Sequence, residues 1–443
     1  MSTSLNSTNR LDDHLSRRGF LQAGALGIGG LTLTDLLRLK AAGAVRTSRP
    51  KSIIMVYMHG GPSHIDMFDM KPDAPVEFRG EFKPIRTKVP GLDICELMPK
   101  LATISDKFTV IRNLSFAEYL DGHNPPLVYT GYRTSTANPT HRPTFGSVVS
   151  KLHGEAVRDM PPYVAFDGFD SKPGRGTDYL GVTHRPFVPG EKMTALDPVA
   201  GVTVESISNR KELLRSFDTL TRELDDASRN MAGMDDMKAR ALDMMTTPRA
   251  RDAFDVSKEP TSVREKYGKA GIQFLKARRL VEASVQVVTL TANSESQTWD
   301  LAGPWDTHGS NFKTLRKLLP EFDQSLHALI TDLNQSGLIE DVAVVVWGEM
   351  GRTPKVNGNG GGRDHWNDAG FALVAGGGLK MGQVIGATTA RAERPVGRPY
   401  TPQNMLATLY QDVLGIDPAT TLPGISGRPM YLLDNRDRIK ELG

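Results

Sequence analysis

The feature that most constrains the fold of this chain is a series of short, unbroken apolar runs rich in valine and isoleucine. The first run spans residues 53–58 and ends abruptly at His59. The other five lie at residues 108–111, 163–166, 285–290, 342–347 and 371–375. Unbroken runs, as opposed to alternating patterns, are typical of strands that are buried on both faces. They therefore predict a mainly parallel central sheet.

Helical patterns lie between the later runs. Residues 263–283 carry an apolar stripe at helical spacing, and a second pattern begins near Pro320 and ends before Gly337. Proline near the first turn and glycine just past the last are expected helix boundaries. Alternating strands and helices predict an α/β fold, a three-layer sandwich. Residues 206–262 are charged and helical in period without a strand pattern, which predicts a helical insertion.

The N-terminal segment has the organisation of a twin-arginine signal peptide. The motif SRRGFL at residues 16–21 is followed by a largely apolar run at 23–33 and by Ala-Gly-Ala at 42–44, which suits a signal peptidase. This order is typical of a signal peptide, and paired arginines indicate the Tat route. An amphipathic helix is the alternative. We predict that residues 1–44 are the signal, and that the Tat translocon exports the domain at 45–443 to the periplasm or cell surface.

Without that segment the chain is almost neutral. Residues 1–44 hold five of the 54 basic residues and three of the 51 acidic ones. This balance argues against nucleic acid as a partner, because nucleic-acid binders normally have a strong basic excess. Cys95 is the single cysteine, so no internal disulfide can form. No later run approaches the ~20 apolar residues that a spanning helix needs, so we expect no stable transmembrane segment in the mature form.

Polar clusters lie at the ends of the predicted strands. Ligands of parallel α/β sheets bind beyond the carboxyl ends of the strands, which makes these clusters candidates for a site. The clusters are His59, Ser63, His64, Asp66 and Asp69 in HGGPSHIDMFD, His123 and Asn124 in DGHNPPLVYTG, Asp306 and His308 in WDTHG, Glu349 and Arg352 in GEMGRTP, and Asp364 and His365 in GRDHW. Imidazoles and carboxylates collected at one edge are what a zinc, manganese or mixed metal site needs.

Each cluster also has a purely structural interpretation: a helix cap, a turn, a local ion pair or a hydrogen-bonded pair that braces a loop. Asp306 with His308 could be the helix cap, and Asp364 with His365 the turn. Glu349 with Arg352 could be the local ion pair, and His64 with Asp66 the pair that braces a loop. Each structural interpretation is reasonable for one cluster. The four together are less convincing, because they do not explain why all of the clusters are expected at the same edge of the sheet.

Together the motifs resemble those of the Tat-exported, sulfatase-like proteins known as domain of unknown function 1501, in the alkaline phosphatase superfamily. The matching segments span nearly the whole chain: SRRGFL, MHGGPSHIDMFDMKP, YTGY, ARRLVEASVQVV, WDTHGSNF, GEMGRTP and GRDHW. The resemblance implies an alkaline-phosphatase-like fold with one or two metal ions at the sheet edge. It does not name a substrate.

The resemblance also implies roles for single residues. His59 stands where the first strand of superfamily enzymes usually offers an aspartate, and His365 resembles their final histidine ligand. Asp306 and His308 resemble the Asp-x-x-x-His pair of these enzymes, with a shorter spacing.

Two departures from the superfamily pattern affect the expected mechanism. Glu349 stands at the aspartate of the usual Asp-His pair, and Met350 replaces its histidine, which depletes the second metal site. The segment at 121–131 resembles the one that carries the nucleophile, but Asp121 stands where a serine, threonine or cysteine is expected. Water activated by a metal is then the more natural attacker, since a divalent ion brings the pKa of bound water towards ~7.

These observations predict a metal-dependent hydrolase of sulfate or phosphate esters that uses a metal-activated water or hydroxide. Asp306, His308 and His365 are expected to hold the principal metal, with Glu349 and His59 on a second or shared site. The expected cofactor is a divalent metal, zinc or manganese, with calcium or magnesium as alternatives.

Three further residues are predicted to be catalytic. Arg352 is expected to clamp the sulfate or phosphate, because its planar fork matches a tetrahedral oxyanion. His123 is the candidate for proton transfer to the leaving oxygen, and Asp121 occupies the nucleophile position. The expected partner is an anionic ester substrate, sulfated polysaccharides included. The alternative function is a catalytically inactive, metal-containing binding or scaffold protein of the cell envelope.

Overall fold

The computed structural model describes residues 50–118, 122–134, 141–154, 159–166, 178–189, 247–292 and 303–443. The predicted signal segment and residues 206–246 of the predicted insertion lie outside these ranges, as does Asp121. The described part of the insertion, residues 247–262, is helical in character, and its Ala250 and Phe254 are buried in the core.

Seven strands form the central sheet, and six others pair in three two-stranded sheets. The strands are β1 Ser52–Tyr57, β2 Pro84–Ile85, β3 Ile94–Cys95, β4 Thr109–Leu114, β5 Tyr163–Ala165, β6 Val287–Thr291, β7 Val342–Trp347, β8 Gly351–Arg352, β9 His365–Trp366, β10 Gly370–Gly376, β11 Val384–Ile385, β12 Thr421–Pro423 and β13 Pro429–Tyr431. The order in the central sheet is β11-β4-β10-β7-β1-β6-β5. Each of the six apolar runs overlaps a strand of this sheet.

The directions of the strands in the central sheet determine at which edge the polar segments lie. β1 is parallel to β6 and β7, β5 is parallel to β6, and β11 is parallel to β4. β10 runs antiparallel to both of its neighbours, β4 and β7. The prediction of a mainly parallel sheet is confirmed. Because β10 is reversed, the segment that precedes it lies at the same edge as the carboxyl ends of the parallel strands.

The sheet is covered on both faces, as a three-layer α/β sandwich requires. In β1, Ile54 and Val56 belong to one hydrophobic core, whereas Ile53, Met55 and Tyr57 belong to the other. Successive side chains of a strand point to opposite faces, so a strand with two covered faces needs apolar residues at every position. This explains the unbroken run in the sequence.

Helices pack on both sides of the sheet. The α-helices are α1 His64–Met67, α2 Val76–Arg79, α3 Pro99–Thr103, α4 Pro126–Thr130, α5 Phe145–His153, α6 Pro248–Phe254, α7 Thr261–Tyr267, α8 Ile272–Glu282, α9 Asn311–Gln335 and α10 Pro402–Thr408. Residues of α8 and α9 line the first core, and residues of α5 and α10 line the second. Short 3-10 segments are Ser105–Lys107, Asp178–Leu180, Val182–His184, Val256–Lys258, Leu338–Glu340 and Lys440–Leu442, and a π-helical turn, Leu409–Val413, continues α10. Within the described ranges, no helix has both the length and the apolar character needed to cross a membrane.

Two predicted helices have different bounds in the structure. The pattern over residues 263–283 forms two helices, α7 and α8, because the chain turns at Gly268, which follows α7 with a φ of 69°. The second pattern begins at Asn311, and Pro320 lies inside α9 instead of at its start. Proline removes one helix hydrogen bond, but burial of the apolar face of a long helix outweighs that local cost.

Candidate metal centre

The loops that follow β1 and β7 lie side by side, because these two strands are parallel neighbours. They carry His59 and Glu349, each two residues past its strand. The backbone N–H of Gly60 donates to Oε1 of Glu349 at 3.1 Å. Both side chains are buried, with exposed fractions of 6% for His59 and 2% for Glu349. The first two residues of the site are thus held by the sheet itself.

His123 lies between two carboxylates. Its Nδ1 is 3.0 Å from Oε1 of Glu349, and its Nε2 is 3.4 Å from Oδ2 of Asp306. Burial favours the neutral ring, but the interactions with the two carboxylates outweigh it and raise the pKa of His123 to about 9. Both ring nitrogens are therefore directed at acidic groups of the chain.

Three atoms that could bind a metal, one each from Asp306, His308 and His365, lie close together. Oδ1 of Asp306 is 3.2 Å from Nε2 of His308 and 3.4 Å from Nε2 of His365. The two imidazole nitrogens are 3.0 Å apart. Donors bound at the usual distances to one tetrahedral zinc ion are about 3.3–3.4 Å from each other. The spacing of these three atoms therefore fits three ligands of a single ion.

A second group of possible metal ligands lies on the Nδ1 side of His123, whereas Nε2 of the same ring faces Asp306. Donor atoms of His59, His123 and Glu349 all lie within 4.8 Å of one another, as do those of His123, Asp306 and His365. Oε2 of Glu349 is buried and has no hydrogen-bond partner among the described residues. A buried carboxylate oxygen without a partner is costly, so the donor set at this position also suits a cation.

Both carboxylates are held as anions. Burial opposes ionisation of Asp306, but hydrogen bonds from His123 and His365 contribute to a pKa well below the usual range. Burial has the same opposing effect on Glu349, and His123 and His59 nevertheless lower its pKa. The centre therefore offers ionised carboxylate oxygens beside imidazole nitrogens, a combination of ligand types that zinc and manganese accept.

Arg352 is placed differently from the prediction. Its side chain is fully buried and donates to the carbonyl oxygens of Gly61 at 2.9 Å and Arg363 at 3.2 Å, and also to that of Gly60. It forms an ion pair with Asp306 as well. The predicted anion clamp is not what the structure shows, because the guanidinium faces acceptors of the chain. Arg352 instead orients Asp306 and the first loop.

Asp364 orients His308. Oδ1 of Asp364 is 2.7 Å from Nδ1 of His308, which directs Nε2 of that ring towards Asp306. This hydrogen bond lowers the pKa of Asp364. The amide of Asn357 donates to Asp364 at 3.1 Å and to the carbonyl of His308 at 3.0 Å. A carboxylate on the second nitrogen of a ligating histidine is a common means of fixing its tautomer.

Glycine is required at two places where loops of the centre meet. A Cβ on Gly303, which has a φ of +80°, would lie 2.4 Å from the carbonyl oxygen of His59. A Cβ on Gly362 would lie 1.9 Å from the carbonyl oxygen of His308. Both distances are shorter than van der Waals contact, so only glycine lets these segments approach.

Two structural alternatives for the site residues are not observed. Ser310, and not Asp306, precedes the first turn of α9 as its N-cap. The ion pair of Arg352 is with Asp306 and not with Glu349. Neither carboxylate therefore has the local structural role that its neighbours in the sequence suggested.

His64 and Asp69 of the first loop have structural partners away from the centre. His64 is buried, its Nε2 is 2.9 Å from the carbonyl oxygen of Ala392, and burial lowers its pKa. Asp69 accepts from Lys71 at 2.9 Å and from Thr388. Asn124, another candidate, bonds to the backbone of Thr134 instead of to the centre.

Arg363 is a buried residue of the site that the sequence did not indicate. This side chain is fully buried and forms a two-pronged ion pair with Asp66, at 2.7 and 2.9 Å. Ser63 and Asn311 donate to the same carboxylate. Asp66 is thus bonded to Arg363 and not to His64, and the pair joins α1 to the segment that directly precedes β9 and His365. The position of Arg363 next to Asp364 was the one available indication.

Comparison with known proteins places the chain in a family. The model of the family described as "Protein of unknown function (DUF1501)" matches residues 50–442. No curated protein matches the sequence. Similar solved structures include a sulfatase from Pseudoalteromonas sp., with 11% identity, 90% of this chain and 74% of that chain covered, and a TM-score of 0.37. The phosphonate monoester hydrolase from Silicibacter pomeroyi has 12% identity, coverage of 84% and 74%, and a TM-score of 0.36. A lipoteichoic acid synthase from Listeria monocytogenes has 11% identity, with 83% of this chain and 73% of that chain covered, and a TM-score of 0.34. Similarity at this level does not extend to activity.

Proposed function

The chain belongs to the DUF1501 family, and from the geometry of its site we propose that it is an exported, metal-dependent hydrolase of sulfate or phosphate esters. The observation that carries the proposal is the spacing of the donor atoms of Asp306, His308 and His365, which are 3.0 to 3.4 Å apart. Catalytic zinc sites commonly have three protein ligands of these types and keep one position open for water or substrate.

The residues of the chain orient and charge this site. Asp306 supplies negative charge and is held in place by Arg352. His308 is held by Asp364, so that its Nε2 faces the other two donors. A divalent ion bound here supplies Lewis acidity and lowers the pKa of a coordinated water towards ~7, which is the chemistry that ester hydrolysis needs.

Glu349 and His59 belong to the proposal as ligands of a second or shared position. Their nitrogen and oxygen donors favour zinc or manganese over calcium or magnesium, which prefer oxygen ligands alone. The proposed substrate is an anionic ester, with sulfated polysaccharides included in that class.

Export is supported by the SRRGFL motif and the apolar run that follows it within residues 16–33. These would bring the folded protein to the periplasm or cell surface, with the Tat translocon as a transient partner.

Two of the predicted catalytic residues, Asp121 and His123, follow β4 in the sequence. Asp121 lies outside the described residues, so its position at the nucleophile stays a prediction. Both nitrogens of His123 are directed at carboxylates, so this arrangement does not support proton transfer from His123 to a leaving group.

A second candidate is a metal-containing binding or scaffold protein of the cell envelope. The observation in its favour is the burial of Arg352, whose guanidinium bonds to the chain instead of facing an anion. A metal site without turnover is the outcome that this candidate predicts.

The test combines metal content with turnover. The purified mature protein is loaded with Zn²⁺ or Mn²⁺, dialysed, and assayed with aryl sulfates, phosphomonoesters, phosphodiesters and a sulfated polysaccharide. We expect hydrolysis that a chelator abolishes and added metal restores. His308→Ala should lower both the metal affinity and the turnover by at least ~10-fold, since it removes one of three ligands. The matched control is His327→Ala on α9, a histidine outside the centre, which should retain both.

The outcomes separate the candidates. Metal binding without turnover of any of these esters would establish the binding protein instead. Absence of bound metal after loading would refute the metal site. Measurable activity in Asp121→Asn is expected when water attacks the ester, whereas loss of all activity would indicate an aspartyl nucleophile.

A further inference from the structure

His123 occupies the space between the two donor groups of the centre. Its Nδ1 is 3.0 Å from Oε1 of Glu349, and its Nε2 is 3.4 Å from Oδ2 of Asp306. The two nitrogens of an imidazole diverge from the ring, and either can bind a metal. A ring in this position would bind two cations, one on each side, once both N–H protons have been released to solvent, so that it bridges them as an imidazolate.

We propose that His123 is a ligand common to two divalent ions, one held with His59 and Glu349 and the other, the principal ion, with Asp306, His308 and His365, to which water would be added as a fifth ligand. The proposal deepens the proposed function, and rests on it for the principal ion. It replaces the role in proton transfer that the sequence predicted for His123.

The first support for the second ion is the state of Glu349. Its Oε1 accepts from the backbone of Gly60 at 3.1 Å and lies against His123. Its Oε2 is buried and has no hydrogen-bond partner within the described ranges. An ionised carboxylate is rarely buried with one oxygen unpaired, because desolvation is not repaid. A cation beside Oε2 supplies the missing partner.

The second support is the arrangement of the imidazole rings. The ring of His123 is edge-to-face with that of His59, at a centroid distance of 5.9 Å, and with that of His365, at 4.6 Å. Three histidines, one after β1, one after β4 and one at the start of β9, therefore converge, and each group of candidate ligands in the proposal contains His123 and one of its two ring neighbours.

The third support is the firm attachment of both carboxylates. Asp306 is anchored by Arg352, and Glu349 by the backbone of Gly60. Preorganised ligands lose little freedom when an ion binds, so neither group has to move far to bind its own ion. The competing arrangement is a hydrogen-bonded bridge, in which His123 donates to both carboxylates and the centre holds one ion.

Metal stoichiometry distinguishes these arrangements. Metal-free protein is titrated with Zn²⁺ by calorimetry, and the metal content is measured after gel filtration. We expect two ions per chain in the wild type, and one in Glu349→Gln, which keeps the shape of the side chain but removes its charge. His123→Ala should weaken binding of both ions by at least ~10-fold, whereas the control His327→Ala should still bind two. One ion per wild-type chain would overturn the proposal.

Spectroscopy of the wild-type protein tests the shared ligand without any variant. Two Cu²⁺ ions joined by one imidazolate, with the ring protons released to solvent, are magnetically coupled, so the electron paramagnetic resonance intensity per copper should be strongly reduced. The full intensity should return in Glu349→Gln, which holds one copper. Two ions with full, independent intensities in the wild type would show that His123 is not shared. Unchanged affinity for both ions in folded His123→Ala would show the same.

Two further outcomes separate this proposal from the proposed function. Ester hydrolysis by a protein with a single ion would overturn this proposal and leave the proposed function standing. Two coupled ions without hydrolysis would support this proposal and overturn the proposed hydrolase.

Discussion

At the scale of single residues, two buried arginines connect the loops that carry the centre. Arg352 binds Asp306 and the carbonyls of the first loop, and Arg363 binds Asp66. A buried ion pair adds little net stability when intact, but removal of one partner is expensive because a charge is left without compensation. Neither arginine faces solvent, so their contribution to function is to hold other side chains in place.

Replacement of Arg352 by lysine should therefore weaken metal binding and lower stability. Lysine keeps the positive charge, but one ammonium cannot replace the fork that reaches Gly61, Arg363 and Asp306 at once. Carbonyl groups left unpaired in the interior cost about 1–3 kcal/mol. We expect Arg352→Lys to lower the free energy of unfolding by this amount in urea titrations, and zinc affinity to fall with it.

The control for this substitution is Arg398→Lys. Arg398 is highly exposed, with 81% of its side chain accessible, and its ion pair with Asp437 is also at the surface. Surface substitutions usually change stability by less than about 0.5 kcal/mol. Equal stability and equal zinc affinity for the two lysine variants would contradict the positioning role of Arg352.

At the scale of elements, α9 connects the centre with the far side of the first core. It begins at Asn311, shortly after His308, and its Asp323 accepts the backbone N–H groups of Lys100 and Leu101 at 3.0 and 2.7 Å. These donors belong to the first turn of α3, where they have no partner within their own helix. A side chain of one helix thus caps another.

The cap makes stability dependent on pH in a defined direction. Burial raises the pKa of Asp323 to about 6, in spite of the two N–H groups that favour its ionised form. The unfolded chain has the ordinary value of about 3.9, so the folded state binds the proton more tightly. The contribution of this carboxyl to stability is thus fully present below pH ~4 and is lost as the pH rises through ~6.

Asp323→Asn removes this titration. We expect the free energy of unfolding of the wild type, minus that of the variant, to decrease from about pH 4 to about pH 7. Urea unfolding at several pH values across this window measures the difference. A difference that stays constant or increases with pH would mean that the raised pKa of Asp323 is wrong.

At the scale of the whole molecule, the sheet has an apolar core on each face, and the centre lies at one edge where several loops converge. A fold of this kind has to be complete before all of the candidate ligands meet, because they come from segments far apart in the chain. The proposed export by the Tat route, which carries folded proteins, would suit a site that is assembled by the whole fold.

Export is expected to depend on both arginines of the signal motif. Replacement of Arg17 and Arg18 by lysine should leave the precursor in the cytoplasm, because the Tat receptor recognises the pair. Immunoblots of cytoplasmic and periplasmic fractions measure the distribution. Arg10→Lys, outside the motif, is the control and should be exported normally. A double variant that reaches the periplasm in normal amounts would refute the signal.

The sequence by itself determined six of the seven strands of the central sheet, and the short edge strand β11 was not predicted. An unbroken apolar run is what a strand needs when both of its faces are covered, and this requirement is local to the run. The α/β class and the location of the polar clusters at strand ends follow from the same runs. Helix bounds were less well determined, because Pro320 is tolerated inside α9 only through the burial of that helix against the core.

Tertiary structure alone decided the arrangement of the centre. His365 joins the other candidate ligands because β10 is antiparallel, and strand direction depends on pairing with β4 and β7 instead of on local sequence. His123 lies against Glu349 across a separation of 226 residues, and Arg352 points inward to Asp306 instead of outward to an anion. Such contacts are set by which loops the folded sheet brings together, and no pattern within one segment contains that information.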